Sequence, residues 1–578
     1  MVWGLYSSDG KPVEPWVLSS GKTQEEVVDE VLEAFDSSNV VMLKGGVGSG
    51  KSIIAATVCG ALGRGVINVP VKALQEQYRR DYEERLKIVV QESPLKIRVL
   101  KGRDNFPCLR HRDRGFRCSH RSLVCTMPIG RGIPRWKIAK RCPHWSPIYP
   151  TTISSLLDEG DFRLQSYSSI AGRQYIYMRK TPCGYYAQST AYVEGDVVVY
   201  NNAKWFADTA MGRKPRVEVE VFDEGDMFLD SLSSKTRLTD RTLSRLRREA
   251  EESIKELHRG GKTGEAAILR KKAKNASKGF EALLENTSNR TLGEIQGFPE
   301  DYLKDLSDFL GVLGSEFSMN LKMKLENLLN YREDAFFYTS PGEVNFFIAD
   351  PSRVLKDLME RSADKLLFMS ATLQSPEVLR EIYNIQEFEY VEGEPRMRGR
   401  IHLRRLGWEK PVNWQNWRED TFRRRYWMML SRIIEKAHRP TLVQVHAYQY
   451  LPEDDEYQYL PTQALIREMD QDETIALFKL GKEDLLFSTK TDRGIDLPGD
   501  SCRSIVLLKY PYPGLKDPFF AVMRRRLGDE RFWKFYRDLA WREFQQQIGR
   551  GMRGPGDWVE VWSPDLTVHQ KLRRLRTV

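Results

Sequence analysis

The chain of 578 residues is too long to bury a single hydrophobic core and should divide into about three or four compact units. Hydrophobic residues make up 41% of it and charged residues 29%, ordinary values for a globular chain, and no apolar run reaches the roughly 18 residues that would suggest a membrane span. The formal net charge of +10 leans toward a polyanionic partner without naming one; with no basic, apolar and small-residue signal at the start, a soluble, cytoplasmic protein is expected.

The first strong element is "NVVMLKGGVGSGKSIIAATVCGALG", a β-rich run, a glycine-rich turn and then a helix with Ile53, Ile54, Thr57, Val58 and Leu62 at helical spacing. That order suits a phosphate-binding loop. Gly45, Gly46, Gly48 and Gly50 let backbone amides point inward around the phosphates, Lys51 supplies a point charge for the β and γ groups, and Ser52 offers a hydroxyl to magnesium. From about Lys101 to Pro182 the sequence is rich in Cys, Arg, Pro and aromatics without periodicity, as expected of a segment organised by something other than an apolar core. Seven cysteines, an odd count, argue against a disulfide framework and for free thiols or metal ligands. Cys108, Cys118, Cys125, Cys142 and Cys183 fall in one window, whereas Cys59 and Cys502 lie in apolar surroundings and read as small buried hydrophobes.

Further on, "VEVEVFDEGD" alternates Val217, Val219 and Val221 before Asp223, as a strand ending on a magnesium-holding carboxylate would; Glu224 is then placed to polarise an attacking water as general base. From about Ser231 to Tyr338 the chain turns charged and helix-favouring, as in "RTLSRLRREAEESIKELHRGG", which predicts a helical insertion. The runs "KLLFMSATL", "TLVQVHAY", "DLLFSTKT", "SIVLLKYPYP" and "DWVEVWSPD", mostly spaced by helix-length segments, predict parallel sheets. Near the end, "QQQIGRGMR" sets Arg550 and Arg553 on one helical face, and such arginines add on the order of 10³ to 10⁵ in rate when they reach a transferring phosphoryl group.

Taken in order, these blocks resemble superfamily 2 helicases, and more narrowly the XPD/DinG group of iron-sulfur DNA helicases. "GGVGSGKS" matches motif I, "VPVKALQEQY" motif Ia, "FDEGD" motif II, "MSATL" motif III, "TDRGIDLPGD" motif V and "QQIGRGMR" motif VI; "LKGRDNFPC" and "PCGYYAQSTAYVEGDVVVYNNAKW" are similar to the flanks of the iron-sulfur insertion. The resemblance implies an α/β chain with two RecA-like P-loop motor domains, ATP and Mg²⁺ bound between them, and iron-sulfur and helical arch insertions in the first. Residues 1–100, 188–230 and 346–375 would form the first motor domain, 101–187 the cluster domain, 231–345 the arch and 376–578 the second motor domain. Lys51, Ser52, Asp223 and Glu224 then belong to the first ATP half-site, and Gln546, Arg550 and Arg553 to the second. Ser370 and Thr372 would couple hydrolysis to movement; Arg493, Gly494 and Asp496 would connect ATP with DNA; Gln24, in "GKTQEEVVDEV", would contact adenine. One departure is Asp226, where the group commonly has histidine.

By the same resemblance a 4Fe-4S cluster is expected on Cys108, Cys125, Cys142 and Cys183, with Cys118 in reserve, because the flanks anchor Cys108 and Cys183. Zinc is the competing metal for a site of four thiolates. Arg110, Arg112, Arg114, Arg117, Arg121, Arg131, Arg135, Lys137, Lys140 and Arg141, interleaved with Phe116, Trp136 and Trp145, suggest contact with single-stranded DNA, since basic groups neutralise phosphates and flat rings stack on bases for roughly 1–3 kcal/mol each. The activity expected is an ATP-dependent helicase acting on single-stranded and forked DNA, 5′ to 3′ by resemblance, in repair or related processing. Such a motor would be a monomer with repair or replication proteins as partners, associated with the nucleoid in a prokaryote, and without an added nuclease domain. The same motor blocks also fit a translocase that remodels without processive unwinding. A small-molecule kinase leaves the later motifs unexplained, and a DNA-binding subunit with a dead motor is at odds with intact Lys51, Glu224 and Arg550.

Overall fold

The structure, a computed structural model, describes residues 3–18, 21–46, 49–120, 123–125, 138, 141–152, 162–259, 261–285, 292–313, 315–393, 400–489, 497, 499–549 and 558–575. Two wholly parallel sheets organise it. The first has seven strands in the spatial order Glu389–Gly393, Val40–Gly45, Lys365–Ser370, Val219–Asp223, Gly65–Val69, Val197–Asn201 and Ile97–Val99. Its central strands are buried throughout, so Val197–Asn201 opens as a continuous valine run, while the alternating Val219–Asp223 buries Glu220 in an ion pair with Lys214. The second has five, in the order Arg400–Leu403, Trp558–Trp562, Ser504–Leu507, Thr441–Gln444 and Leu485–Ser488. This is the α/β architecture of two RecA-like units. Glu389–Gly393, although it follows the 375/376 division drawn from the sequence, pairs with the P-loop strand Val40–Gly45 in the first sheet.

The cysteine-rich region and the charged, helix-favouring region are both inserted between strands of the first sheet and have structure of their own. Between Ile97–Val99 and Val197–Asn201 lies an antiparallel sheet in the order Ile148–Pro150, Gly172–Met178 and Arg163–Ser169. Beneath it Trp145, Tyr149, Tyr177 and Tyr186 pack with Cys118, Cys142 and Cys183. The sequence suggests a segment without an apolar core; a small core of aromatics and thiols is present instead. The second insertion contains the expected helices, Asp240–Arg259, Thr263–Glu285, Phe298–Leu313 and Glu316–Asn330. It also carries an unanticipated antiparallel sheet, in the order Thr236–Thr239, Glu343–Ile348, Ala335–Ser340 and Leu292–Glu294. The hairpin in that sheet turns at Gly342, whose φ of +72° is the left-handed conformation glycine supplies.

The helix Pro518–Gly549, interrupted at Gly528, joins the two units. Phe519, Phe520, Phe532, Phe535 and Tyr536 bury into the core shared by the first unit and its helical insertion. Ala540, Phe544 and Ile548 bury against the second sheet. Among the described residues no helix is long and apolar enough to cross a membrane.

Candidate nucleotide site and cysteine centre

The P-loop strand ends at Gly45, and Lys51 opens the next helix behind Gly50, whose φ is +72°. A side chain at Gly45 would run into the Lys51 stem at 2.7 Å, and one at Gly50 into the Gln24 amide at 1.9 Å, so both positions need hydrogen. Lys51 folds back so that Nζ donates to the Gly45 carbonyl at 3.1 Å. Gly46 N donates to Gly393 O at 2.9 Å, tying the loop to the edge strand. Gly48 lies outside the described residues. Gln24 is the first residue of the helix Gln24–Ser37, which starts on a reciprocal cap between Thr23 and Glu26. Fully buried, Gln24 accepts from Trp16 N at 2.9 Å and donates to Ser49 O at 3.2 Å, and so braces the loop from behind.

Asp223 ends its strand within the field of Lys51 and Glu224. Its Oδ1 accepts from the Glu224 amide at 3.0 Å and its Oδ2 from Tyr78 Oη at 2.9 Å. Burial, followed by the Glu224 charge, pushes its carboxyl up to about 7, against the pull of Lys51. Glu224 sits at φ +55°, a left-handed position unusual for a residue with a side chain and of the strained kind found at working sites. Ser370 Oγ donates to Glu224 Oε2 at 3.4 Å. Ser52 Oγ is 2.7 Å from Tyr82 Oη.

Fully buried Asp226 links motif II to the far unit. Its Oδ2 accepts from Thr372 Oγ1 at 2.9 Å and from Gln546 Nε2 at 3.3 Å, and Gln546 Nε2 also donates to Thr372 Oγ1 at 2.6 Å. One turn earlier on the same helix, Arg542 grips Asp230 with two nitrogens at 2.8 and 3.0 Å and Asp538 with Nε at 2.8 Å, and lies 3.8 Å from Asp226. Asp538 also accepts from Ser375 N at 2.8 Å. Sequence reasoning missed Arg542, Asp230 and Asp538. The available signal was a basic residue four positions before Gln546, a spacing that puts both on one helical face. Arg550 and Arg553, as well as Arg493, Gly494 and Asp496, lie outside the described residues.

A nucleotide phosphate and magnesium fit what is present. Among the described residues Ser49 Oγ, buried in the loop, has no hydrogen-bond partner, and Ser52 with Asp223 forms the hard oxygen donor set that magnesium prefers.

The five window cysteines converge in the first insertion. An isolated antiparallel bridge between Pro107 and Arg117 brings Cys108 and Cys118 together, with Cys108 N donating to Phe116 O at 2.7 Å and Cys118 N to Phe106 O at 2.8 Å. Cys118 Sγ lies 4.0 Å from Cys183 Sγ, so the reserve cysteine is next to one of the anchored pair. The hydrogen bond from Cys118 holds the Cys183 thiol below its ordinary range, whereas burial pushes Cys125 and Cys142 up. Arg103, half-buried beside the Tyr185 ring at 4.1 Å, directs Nη1 at Cys125 Sγ, 3.9 Å away. Soft thiols are the right donors for iron or zinc. Among the described residues, however, no group of three or more His, Cys, Asp or Glu side chains is placed to hold a metal ion. All seven cysteines are free, and Cys59 and Cys502 are fully buried. Trp145 corrects the sequence reading: it is 4% exposed and packs edge-on against Tyr149, so it belongs to the insertion's core and is closed to base stacking. Phe116 stacks on His120 at 3.7 Å, among exposed Arg112, Arg114 and Arg117. Arg121, Arg131, Arg135, Trp136, Lys137 and Lys140 lie outside the described residues.

Two parallel sheets, joined by a helix that reaches from the P-loop unit into the second unit, give the chain the fold seen in XPD helicase structures. Residues 430–574 match the helicase C-terminal domain family. A structure titled XPD helicase superposes with a TM-score of 0.59 at 15% identity, over 96% of this chain and 98% of that one. An XPD apo structure gives 0.56 at 15% identity, over 95% and 98%. Xpd4 from S. tokodaii gives 0.51 at 14% identity, over 96% and 97%. No curated protein sequence matches the chain significantly.

Proposed function

We propose that the chain is an ATP-driven DNA helicase that moves along single-stranded DNA, 5′ to 3′, and unwinds forked duplexes in repair or related processing. The observation that carries this is the contact of Gln546 with Thr372 and Asp226, which ties the second unit to the residue three positions past Asp223 and to the segment after Lys365–Ser370 in the first. Lys51 and the loop amides would bind the phosphates, and Glu224 would accept a proton from the attacking water. Ser52 and Asp223 would hold magnesium, which when bound neutralises charge on the transferring phosphoryl group. Arg550 and Arg553 would supply positive charge from the second unit, Gly494 and Asp496 would report nucleotide state to DNA, and Gln24 would sense adenine through its brace on the loop.

The insertion cysteines would bind a 4Fe-4S cluster, with Cys108, Cys125, Cys142 and Cys183 as ligands and Cys118 the fifth thiol beside them. A protein acting as a monomer on chromosomal DNA in the cytoplasm fits this reading. The test is strand displacement on forks with a 5′ or a 3′ single-stranded tail: wild type should unwind only the 5′-tailed fork, and Lys51→Ala neither. ATP hydrolysis without displacement of either fork would leave a translocase instead. Protein purified anaerobically should absorb broadly in the visible; a colourless protein with stoichiometric zinc would replace the cluster with zinc.

A further inference from the structure

Beside the nucleotide loop, the segment following the helix Lys72–Tyr78 winds as a π-helix over Arg79–Arg85. Such wide turns are rare, usually single, and frequent at functional sites. This one delivers two tyrosines four positions apart to the same place. Tyr78 is fully buried and Tyr82 8% exposed, with their rings 5.6 Å apart. Each hydroxyl meets a different oxygen of the proposed cation site: Tyr78 donates to Asp223 Oδ2 at 2.9 Å, and Tyr82 lies 2.7 Å from Ser52 Oγ. The outer face of the turn is fixed by ion pairs from Arg79 to Glu76 and Glu84 and from Lys101 to Glu76.

We propose that Tyr78 and Tyr82 are positioning residues for the magnesium ligands, one tyrosine for each ligand, set by the π-helical turn. The inference rests on Ser52 and Asp223 holding the cation. Asp223 has Oδ1 fixed by the Glu224 amide and Oδ2 by Tyr78, so its carboxylate plane cannot swing. Either hydroxyl can donate in the Ser52–Tyr82 bond; with Ser52 as donor its oxygen lone pairs stay directed away from that bond and available to a cation. Among the described residues neither tyrosine is hydrogen-bonded to a loop glycine, so the pair acts on the metal ligands and leaves phosphate binding to Lys51 and the loop. Partners of this outer kind typically change metal affinity about 10- to 100-fold when removed.

The experiment measures Mn²⁺ binding by electron paramagnetic resonance in the full-length protein saturated with a non-hydrolysable ATP analogue, and analogue binding alone in EDTA. Tyr78→Phe and Tyr82→Phe should each weaken Mn²⁺ by about 10-fold or more, with analogue affinity in EDTA and metal-free thermal unfolding unchanged. Tyr82→Phe, at the less buried ring, carries the test if Tyr78→Phe misfolds. Unchanged Mn²⁺ affinity in the tyrosine variants overturns the proposal, and so does tighter binding, which would mean that the hydroxyls compete with the cation. Ser52→Ala and Lys51→Ala separate the two levels: loss of Mn²⁺ in Ser52→Ala with none in the tyrosine variants sinks the tyrosines alone. Intact Mn²⁺ binding in Ser52→Ala sinks both them and the cation site, and intact analogue binding in Lys51→Ala sinks the nucleotide site itself.

Discussion

The parallel sheet around the P-loop and the cysteine insertion lodged in it reach order by opposite routes. In the sheet, strands such as Val197–Asn201 and Val219–Asp223 are buried on both faces and satisfy their backbones through neighbours on each side, so each residue is held by many others. In the insertion, an aromatic and thiol core of a few residues under a three-stranded sheet does the same work with far less apolar area. Under the cluster proposed above, a region of the second kind would draw part of its stability from what its thiols bind, whereas one of the first kind would not.

Breaking each region by its own means should expose the difference. The largest effect belongs to the two parallel-sheet units: Arg542 is an almost wholly buried cation facing Asp230, Asp538 and Asp226, so Arg542→Ala leaves carboxylates buried without it and should cost about 3–5 kcal/mol in thermal or denaturant unfolding. A loss below about 1 kcal/mol would mean the two units are held together elsewhere. An intermediate effect is expected from Cys183→Ser, which should abolish visible absorbance and lower amide protection across Gly172–Met178 in hydrogen exchange, while Val219–Asp223 stays protected. Loss of protection in both would show that the insertion and the sheet unfold as one. The smallest is electrostatic. Arg112→Ala with Arg114→Ala should flatten the salt dependence of single-strand affinity by about 0.7 in log–log slope for every DNA phosphate the two arginines neutralise, measured by fluorescence anisotropy.

The same contrast explains what could be read beforehand. The P-loop, the Asp223–Glu224 pair and the parallel strands announce themselves through local pattern, because glycine spacing and continuous β-branched runs are properties of short windows. Arg163–Ser169 and Gly172–Met178 did not, since their alternation is diluted by serine, glutamine and tyrosine that serve a core too small to demand strict periodicity. Thr236–Thr239 and Glu343–Ile348 pair across more than a hundred residues, a separation that no window spans. Arg542 was visible as a charge but not as a buried one, because its three carboxylate partners come from distant turns of the chain and from its own helix. The roles of Tyr78 and Tyr82 were hidden for a similar reason: their value lies in hydroxyls that meet Asp223 and Ser52 only after folding.

The helix Pro518–Gly549 carries a last consequence. With Phe519, Phe520 and Phe532 seated in the first unit and Ala540, Phe544 and Ile548 in the second, it is a shared beam whose two ends have different owners. Cutting the gene between the two units would therefore yield a carboxy-terminal piece with a bare aromatic flank and an amino-terminal piece with an open trough. The halves should aggregate when expressed apart and recover solubility when produced together.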